Sequence, residues 1–182
     1  IEAFLQGLEA YMESPVYPNV FGARVYKISR DPAGNRLTHM KITGGSLKVK
    51  EALSAEETNE EQKKEKVNQI RIYSGEKYEL VQEAEAGTVC AVTGLTFTRP
   101  GMTLGEEKDV SAPMLEPVLS YRVQYPREVD AHTMLGYLKQ LEEEDPMLRI
   151  VWKEENGEIG VQLMGEIQIE ILRSLIEEQF GI

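Results

Sequence analysis

Seven basic residues fall between positions 20 and 50: Arg24, Lys27, Arg30, Arg36, Lys41, Lys48 and Lys50, with Asp31 as the one acid. Cations gathered on one face can meet phosphate even in a chain whose formal net charge is −11. Arg36 is the best placed, directly after the Gly34-Asn35 turn. A turn tip projects its neighbours outward, and a guanidinium offers phosphate oxygens a rigid fork. Lys27, Arg30 and Lys41 complete the candidate set. The plainer reading, that these are the wet side of a strand pair, holds for most of the seven. The acidic counterpart is Glu142-Glu143-Glu144-Asp145. Acids in the last turn of a helix oppose its dipole at about 0.3–1 kcal/mol each where exposed. The run is therefore either a tolerated, solvated helix end or a contact for a basic partner through Glu143, Glu144 and Asp145.

Other chemistries find little support. No segment fits GxxxxGK[ST], so no loop is predicted to cradle a nucleoside triphosphate. Gly44-Gly45-Ser46 reads as a tight turn into a strand, not as a phosphate loop. His39 and His132 lie in different predicted domains without neighbouring ligands, which argues against a metal site. Cys90, between Val89 and Ala91, reads as a small buried hydrophobe with nothing basic beside it. Nearly every acid lies in a polar run, whereas a hydrolytic pair needs one carboxyl in an apolar pocket. No catalytic residue and no cofactor is assigned to this chain.

Composition sets the outer bounds. Residues 1–112 carry 14 Lys/Arg against 17 Asp/Glu, and residues 113–182 carry 6 against 14, so the acidity is concentrated in the second part. An acidic chain is a poor general binder of DNA. No apolar run approaches the ~18 residues of a membrane span. A single cysteine precludes an internal disulfide and fits a reducing cytoplasm.

The elements that must carry these residues fall into three stretches. Ile1, Phe4, Leu5, Leu8 and Met12 follow helical period from the first residue, without a cap, so residues 1–16 are expected to be the end and linker of a preceding domain. Pro15 and Pro18 break that helix. Residues 17–112 give short strands at 21–28, 36–43, 47–50, 67–73, 78–81 and 88–93, separated by turns such as Asp31-Pro32-Ala33-Gly34-Asn35. The spacing predicts a small β-barrel or sandwich. The charged stretch 54–66 is predicted to be a solvated loop, or a short exposed helix. Residues 113–182 change pattern. A strand at 118–125 precedes a helix at 128–144, with Ala131, Met134, Leu135, Leu138 and Leu141 on one face. Strands at 148–153 and 159–163 are joined through Asn156-Gly157, and a helix at 165–180 carries Ile167, Ile171, Leu172, Leu175 and Ile176. The order β-α-β-β-α predicts an α+β domain of ferredoxin-like type, without a last strand.

Several motifs in this order resemble one family. The stretch Phe21 to Gly45, with Val25-Tyr26-Lys27-Ile28, Asp31-Pro32, Asn35-Arg36-Leu37 and Gly44-Gly45, resembles the opening of the second domain of elongation factor G. Ala86 to Leu95, Met114 to Val118, Leu141 to Pro146 and Val161 to Glu170 resemble successive motifs of the second and third domains. Gln168 in place of a histidine, and Thr96-Phe97-Thr98-Arg99-Pro100 after Gly94-Leu95, are closer to the ribosomal protection proteins of tetracycline resistance. The resemblance implies a β-barrel domain II and a ferredoxin-like domain III of a translational GTPase. GTP and Mg would belong to the missing N-terminal domain of the parent chain. It also implies binding to the ribosome, with the barrel against small-subunit rRNA and the third domain near a small-subunit ribosomal protein. An RNA- or protein-binding barrel unrelated to GTP-driven translation is the alternative.

Overall fold

The computed structural model describes residues 1–13, 15–54, 64–108 and 117–182. Helix α1 spans Glu2–Tyr11, with Ile1 in the cap position and no side-chain cap bond. Its apolar stripe is predicted to need a support, yet none of its residues is buried: Phe4, Leu5, Leu8 and Met12 all stay exposed.

The β-rich part begins with a long hairpin. Strand β1 (Gly22–Arg30) pairs antiparallel with β2 (Arg36–Gly44), and Asp31 organises the turn between them. Its Oδ1 accepts from the amides of Ala33 and Asn35, the competition for backbone donors that makes Asp a turn former. The next elements are β3 (Ser46–Lys48), β4 (Ala52–Leu53), β5 (Glu65–Lys66) and β6 (Gln69–Ser74). They are followed by β7 (Lys77–Val81), β8 (Glu83–Glu85), β9 (Val89–Thr93) and β10 (Thr103–Gly105). Six of these form one antiparallel sheet in the order β10-β1-β2-β9-β6-β7, while β3 pairs with β8 and β4 with β5. Their inward residues, among them Val25, Ile28, Met40, Ile42, Leu47, Val67, Ile70, Val92 and Leu95, form one core.

Strands β4, β5, β8 and β10 are too short to leave an alternation in the sequence. The predicted loop at 54–66 lies mostly outside the described residues, but its end differs from expectation: Leu53 faces Glu65 in a two-residue ladder. Gly94 closes the β9 exit at φ +101°, and a side chain there would run into the Lys66 carbonyl.

The second part holds β11 (Leu119–Arg122), α2 (Ala131–Glu144), β12 (Arg149–Lys153), β13 (Glu158–Leu163) and α3 (Glu166–Phe180). The sheet order is β11-β13-β12, and the two helices pack on it around a separate core that includes Met134, Leu138, Leu141, Ile159, Leu163 and Leu172. This is a β-rich domain followed by an α+β domain of β-α-β-β-α order, as the patterning predicts. Helix α2 starts three residues later than its apolar period suggests. Asp130 is its N-cap and accepts from the amides of His132 and Thr133, which fixes the start at Ala131 and leaves residues 128 and 129 outside the helix.

The α3 stripe is narrower than predicted. Ile167 and Ile171 are exposed, whereas Ile169, Leu175, Ile176 and Phe180 pack on the core beside Leu172. Phe180 stacks on Tyr137 of α2 with centroids 4.1 Å apart, which sets the rotation of the helix.

Candidate functional site

The β1–β2 hairpin carries four of the predicted contact residues, and the structure sends them in two directions. At the open end of the sheet, Arg24, Lys27 and Lys41 face outward. In register, Arg24 lies opposite Lys41 and Lys41 opposite Val89. One step along, Lys27 lies opposite His39, His39 opposite Ala91, and Ala91 opposite Arg71. Lys27 and Lys41 are exposed, and Arg24 pairs with Glu107 at 2.8 Å.

At the turn end, Arg30 and Arg36 point toward the α+β domain instead. Both reach Oε2 of Glu143, Arg30 through Nη2 at 3.2 Å and Arg36 through Nε at 3.0 Å. Arg36 is predicted to project from a turn tip, but its side chain is only 12 % exposed. Its remaining N–H groups donate to the Leu95 carbonyl at 2.8 Å, to Thr98 Oγ1 at 2.9 Å and to the Thr98 carbonyl at 2.5 Å. Thr38 and Thr98 share a buried hydrogen bond of 2.7 Å beneath it. The turn is tight enough that Arg36 already belongs to strand β2, so its side chain folds over the β9 exit and the fork is filled by intramolecular acceptors.

The acidic run is likewise engaged from within. Glu143 holds the two arginines. Asp145 accepts from the Met147 amide and, at 2.7 Å, from Nε2 of Gln168. Gln168 also accepts from the Met164 amide, so it ties the start of α3 to the end of α2. Glu144 lines a hollow of about 190 Å³ between the domains, together with Lys27, Ile28, Leu141 and Ile171. Burial raises its carboxyl above its ordinary value, although Arg30 and Lys27 pull the other way.

A group the sequence reading missed occupies the outer face beside Lys27. The rings of Tyr26 and His39 have centroids 6.1 Å apart, His39 and Tyr73 another 6.1 Å, and Tyr73 and Tyr78 5.3 Å. These four residues come from β1, β2, β6 and β7. The Arg71 guanidinium lies over the Tyr78 ring at 4.5 Å and bonds Asp31 Oδ2 at 2.9 Å, a pair with side chains 6 % and 9 % exposed. Hydrogen bonds from Asn35, foremost, and from Arg71 hold the Asp31 carboxyl down at about 2. Burial, with Lys27 nearby, holds His39 below its ordinary value, and its Nε2 shares a 2.8 Å hydrogen bond with Ser29. The one signal in the sequence is the Tyr73/Tyr78 hairpin pair. The cross-sheet register that aligns it with Tyr26 and His39 is not visible there.

Elsewhere the chemistry is quiet. Burial pushes the Cys90 thiol up to about 11. Among the described residues no group of three His, Cys, Asp or Glu side chains could hold a metal ion, and no helix is long and apolar enough to cross a membrane.

Comparison with known proteins agrees with this architecture. Residues 20–107 match the profile described as Elongation factor G domain 2, and residues 114–182 match Elongation Factor G, domain III. The chain is 30% identical to Elongation factor G of Amoebophilus asiaticus over 178 residues, 96% of this chain and 25% of the relative. It is 35% identical to Elongation factor G 1 of Bdellovibrio bacteriovorus over 154 residues, 82% and 22% of the respective chains. A crystal structure of a Thermus thermophilus protein shares the fold with a TM-score of 0.68 at 23% identity, over 93% of this chain and 26% of that one. The chain thus spans about a quarter of the length of the curated relatives it matches. With both profiles matched in order and the two cores lying where they lie, the chain belongs to the elongation factor G family and comprises its second and third domains.

Proposed function

We propose that this chain is the ribosome-docking portion of a GTP-driven translation factor, with GTP and Mg handled by a preceding domain of the parent protein. In this reading residues 1–16 lead out of that GTPase domain, 17–112 are the docking β-domain and 113–182 the ferredoxin-like domain. The supporting observation is the outward, exposed pair Lys27 and Lys41, with Arg24 beside them tied to Glu107. They place positive charge on one face of a chain of net −11, and in their two register rows no acid faces outward. Phosphates of small-subunit rRNA would lie against Lys27 and Lys41. Arg30 and Arg36 act in this reading through Glu143, holding the third domain in place for its contact with a small-subunit ribosomal protein.

The test is co-sedimentation of the parent protein with ribosomes in the presence of GTP. Lys27→Glu with Lys41→Glu should reduce the bound fraction severalfold and flatten its salt dependence, since each phosphate contact contributes to the salt slope. Unchanged sedimentation of the double variant would overturn the assignment. Calorimetry with GTP should show no uptake by the 182-residue chain.

The finer reading is a ribosomal protection role against tetracycline, and it rests on Gln168 and the short Thr96–Pro100 segment. Expression of the parent protein in a tetracycline-sensitive bacterium checks it. Growth at raised drug concentration supports it, whereas complementation of a translocation defect without protection assigns the translocation role instead.

A further inference from the structure

The outer face of the β-domain carries more than charge. Tyr26 is 50% exposed, Tyr73 37% and Tyr78 47%, although each is large enough to be worth burying. With His39 they form a continuous line of rings across β1, β2, β6 and β7. Beside the line lies an open hollow of about 500 Å³ that has Leu37, His39, Arg71, Tyr73 and Tyr78 among its walls. The acids at its rim are Asp31, already neutralised by Arg71, and Glu76 in the β6–β7 turn. Lys27 and Lys41 flank the rings from β1 and β2, and Leu80 and Val89 extend the apolar surface.

We infer that the ring line Tyr26–His39–Tyr73–Tyr78 is a platform for unpaired RNA bases, with Lys27 and Lys41 holding the intervening phosphates. This rests on the reading that the β-domain meets RNA, and it goes further by naming single-stranded bases as the part gripped. Four features carry it. The exposed rings of Tyr26, Tyr73 and Tyr78, linked through half-buried His39 and tilted to one another with centroids 5.3–6.1 Å apart, present several π-faces on which bases splayed out of a helix can stack. The flanking cations fit a polyanion better than an apolar peptide. His39, half-buried and hydrogen-bonded to Ser29 through Nε2, contributes a ring between the tyrosines, and burial disfavours its protonated form. Arg71, committed to Asp31 and to the Tyr78 ring, fixes that ring in place and so limits the ordering cost of stacking.

The test is fluorescence anisotropy of the 182-residue chain with a labelled oligoadenylate of about 12 nucleotides, and with an RNA duplex of equal length. The single strand should bind more tightly than the duplex. Tyr73→Ala and Tyr78→Ala should each weaken the single strand by about fivefold or more and leave the duplex unchanged. Tyr73→Phe and Tyr78→Phe, which keep the ring, should bind as the parent does, with thermal melting confirming the fold of every variant. Equal binding of both RNAs, sensitive to Lys27→Gln and Lys41→Gln but not to the tyrosine variants, overturns stacking and leaves phosphate docking standing. Binding of neither RNA overturns stacking as well. Loss of ribosome association in the tyrosine variants without any preference for single strands would assign the face to a protein partner.

Discussion

Arg36 and Glu143 are 107 residues apart in the chain and joined by a 3.0 Å hydrogen bond between Nε and Oε2. The bond connects two domains with separate cores, and its two ends are unequal. Arg36 is nearly buried and anchored by Thr98 and Leu95, while Glu143 is 45% exposed. The arginine is thus a fixed socket and the glutamate a removable plug.

That asymmetry gives the first prediction. Glu143→Gln should cost no more than about 1 kcal/mol, since one partner is solvent-screened. Arg36→Ala should cost about 2–3 kcal/mol, because it also strips the Leu95 and Thr98 acceptors of their donor. Urea unfolding of both variants and of the double variant measures the coupling. Small-angle scattering should show the domains separating in Glu143→Gln, and equal costs for the two single variants would refute the unequal-ends account.

Acid should attack the β-domain first through Asp31. Its carboxyl is held at about 2, below the ordinary value near 4, so the folded state favours the ionised form. The stability this provides is complete above about pH 4 and is lost as pH falls toward 2. In Asp31→Asn, urea midpoints should therefore lie below the parent's at neutral pH and converge with them near pH 2. Parallel curves across that window would show that Asp31 contributes nothing through its charge.

Glu144 has the opposite sign. Burial raises its folded value above the unfolded one, so the charged group is a burden at neutral pH that is relieved as pH falls toward the ordinary carboxylate range. Glu144→Gln should melt higher than the parent at pH 7, with the difference shrinking toward pH 4. A variant that melts lower at pH 7 would mean that attraction to Arg30 and Lys27 outweighs burial.

Gly94→Ala tests the close approach at the end of β9. A methyl group at φ +101° meets the Lys66 carbonyl, and forcing it in should cost about 1–3 kcal/mol. Gly101, also at positive φ but with open space around it, is the control: Gly101→Ala carries the backbone strain alone. Equal losses at the two sites would show that the Lys66 contact is unimportant.

Periodicity reveals the strands and helices that are long enough to repeat, and the domain order follows from them. Turn chemistry locates Asp31 as a loop residue but not as the partner of Arg71, because that pairing depends on β6 lying two strands away from β2. The charged residues are legible as types and not as destinations. Arg36 reads as outward because a turn residue has no visible neighbour in sequence, whereas Leu95, Thr98 and Glu143 reach it only through tertiary packing. The same limit hides the tyrosines, whose alignment across four strands is a property of register.

Cys90, the one sulfhydryl in the chain, sits 2% exposed in the first core with its ionisation suppressed. It will react slowly with maleimides or alkylating dyes, which attack the thiolate. A cysteine introduced at any exposed position can therefore carry a spectroscopic label without first replacing the native one. Paired labels on the two domains would then report their separation in a molecule otherwise left as it is.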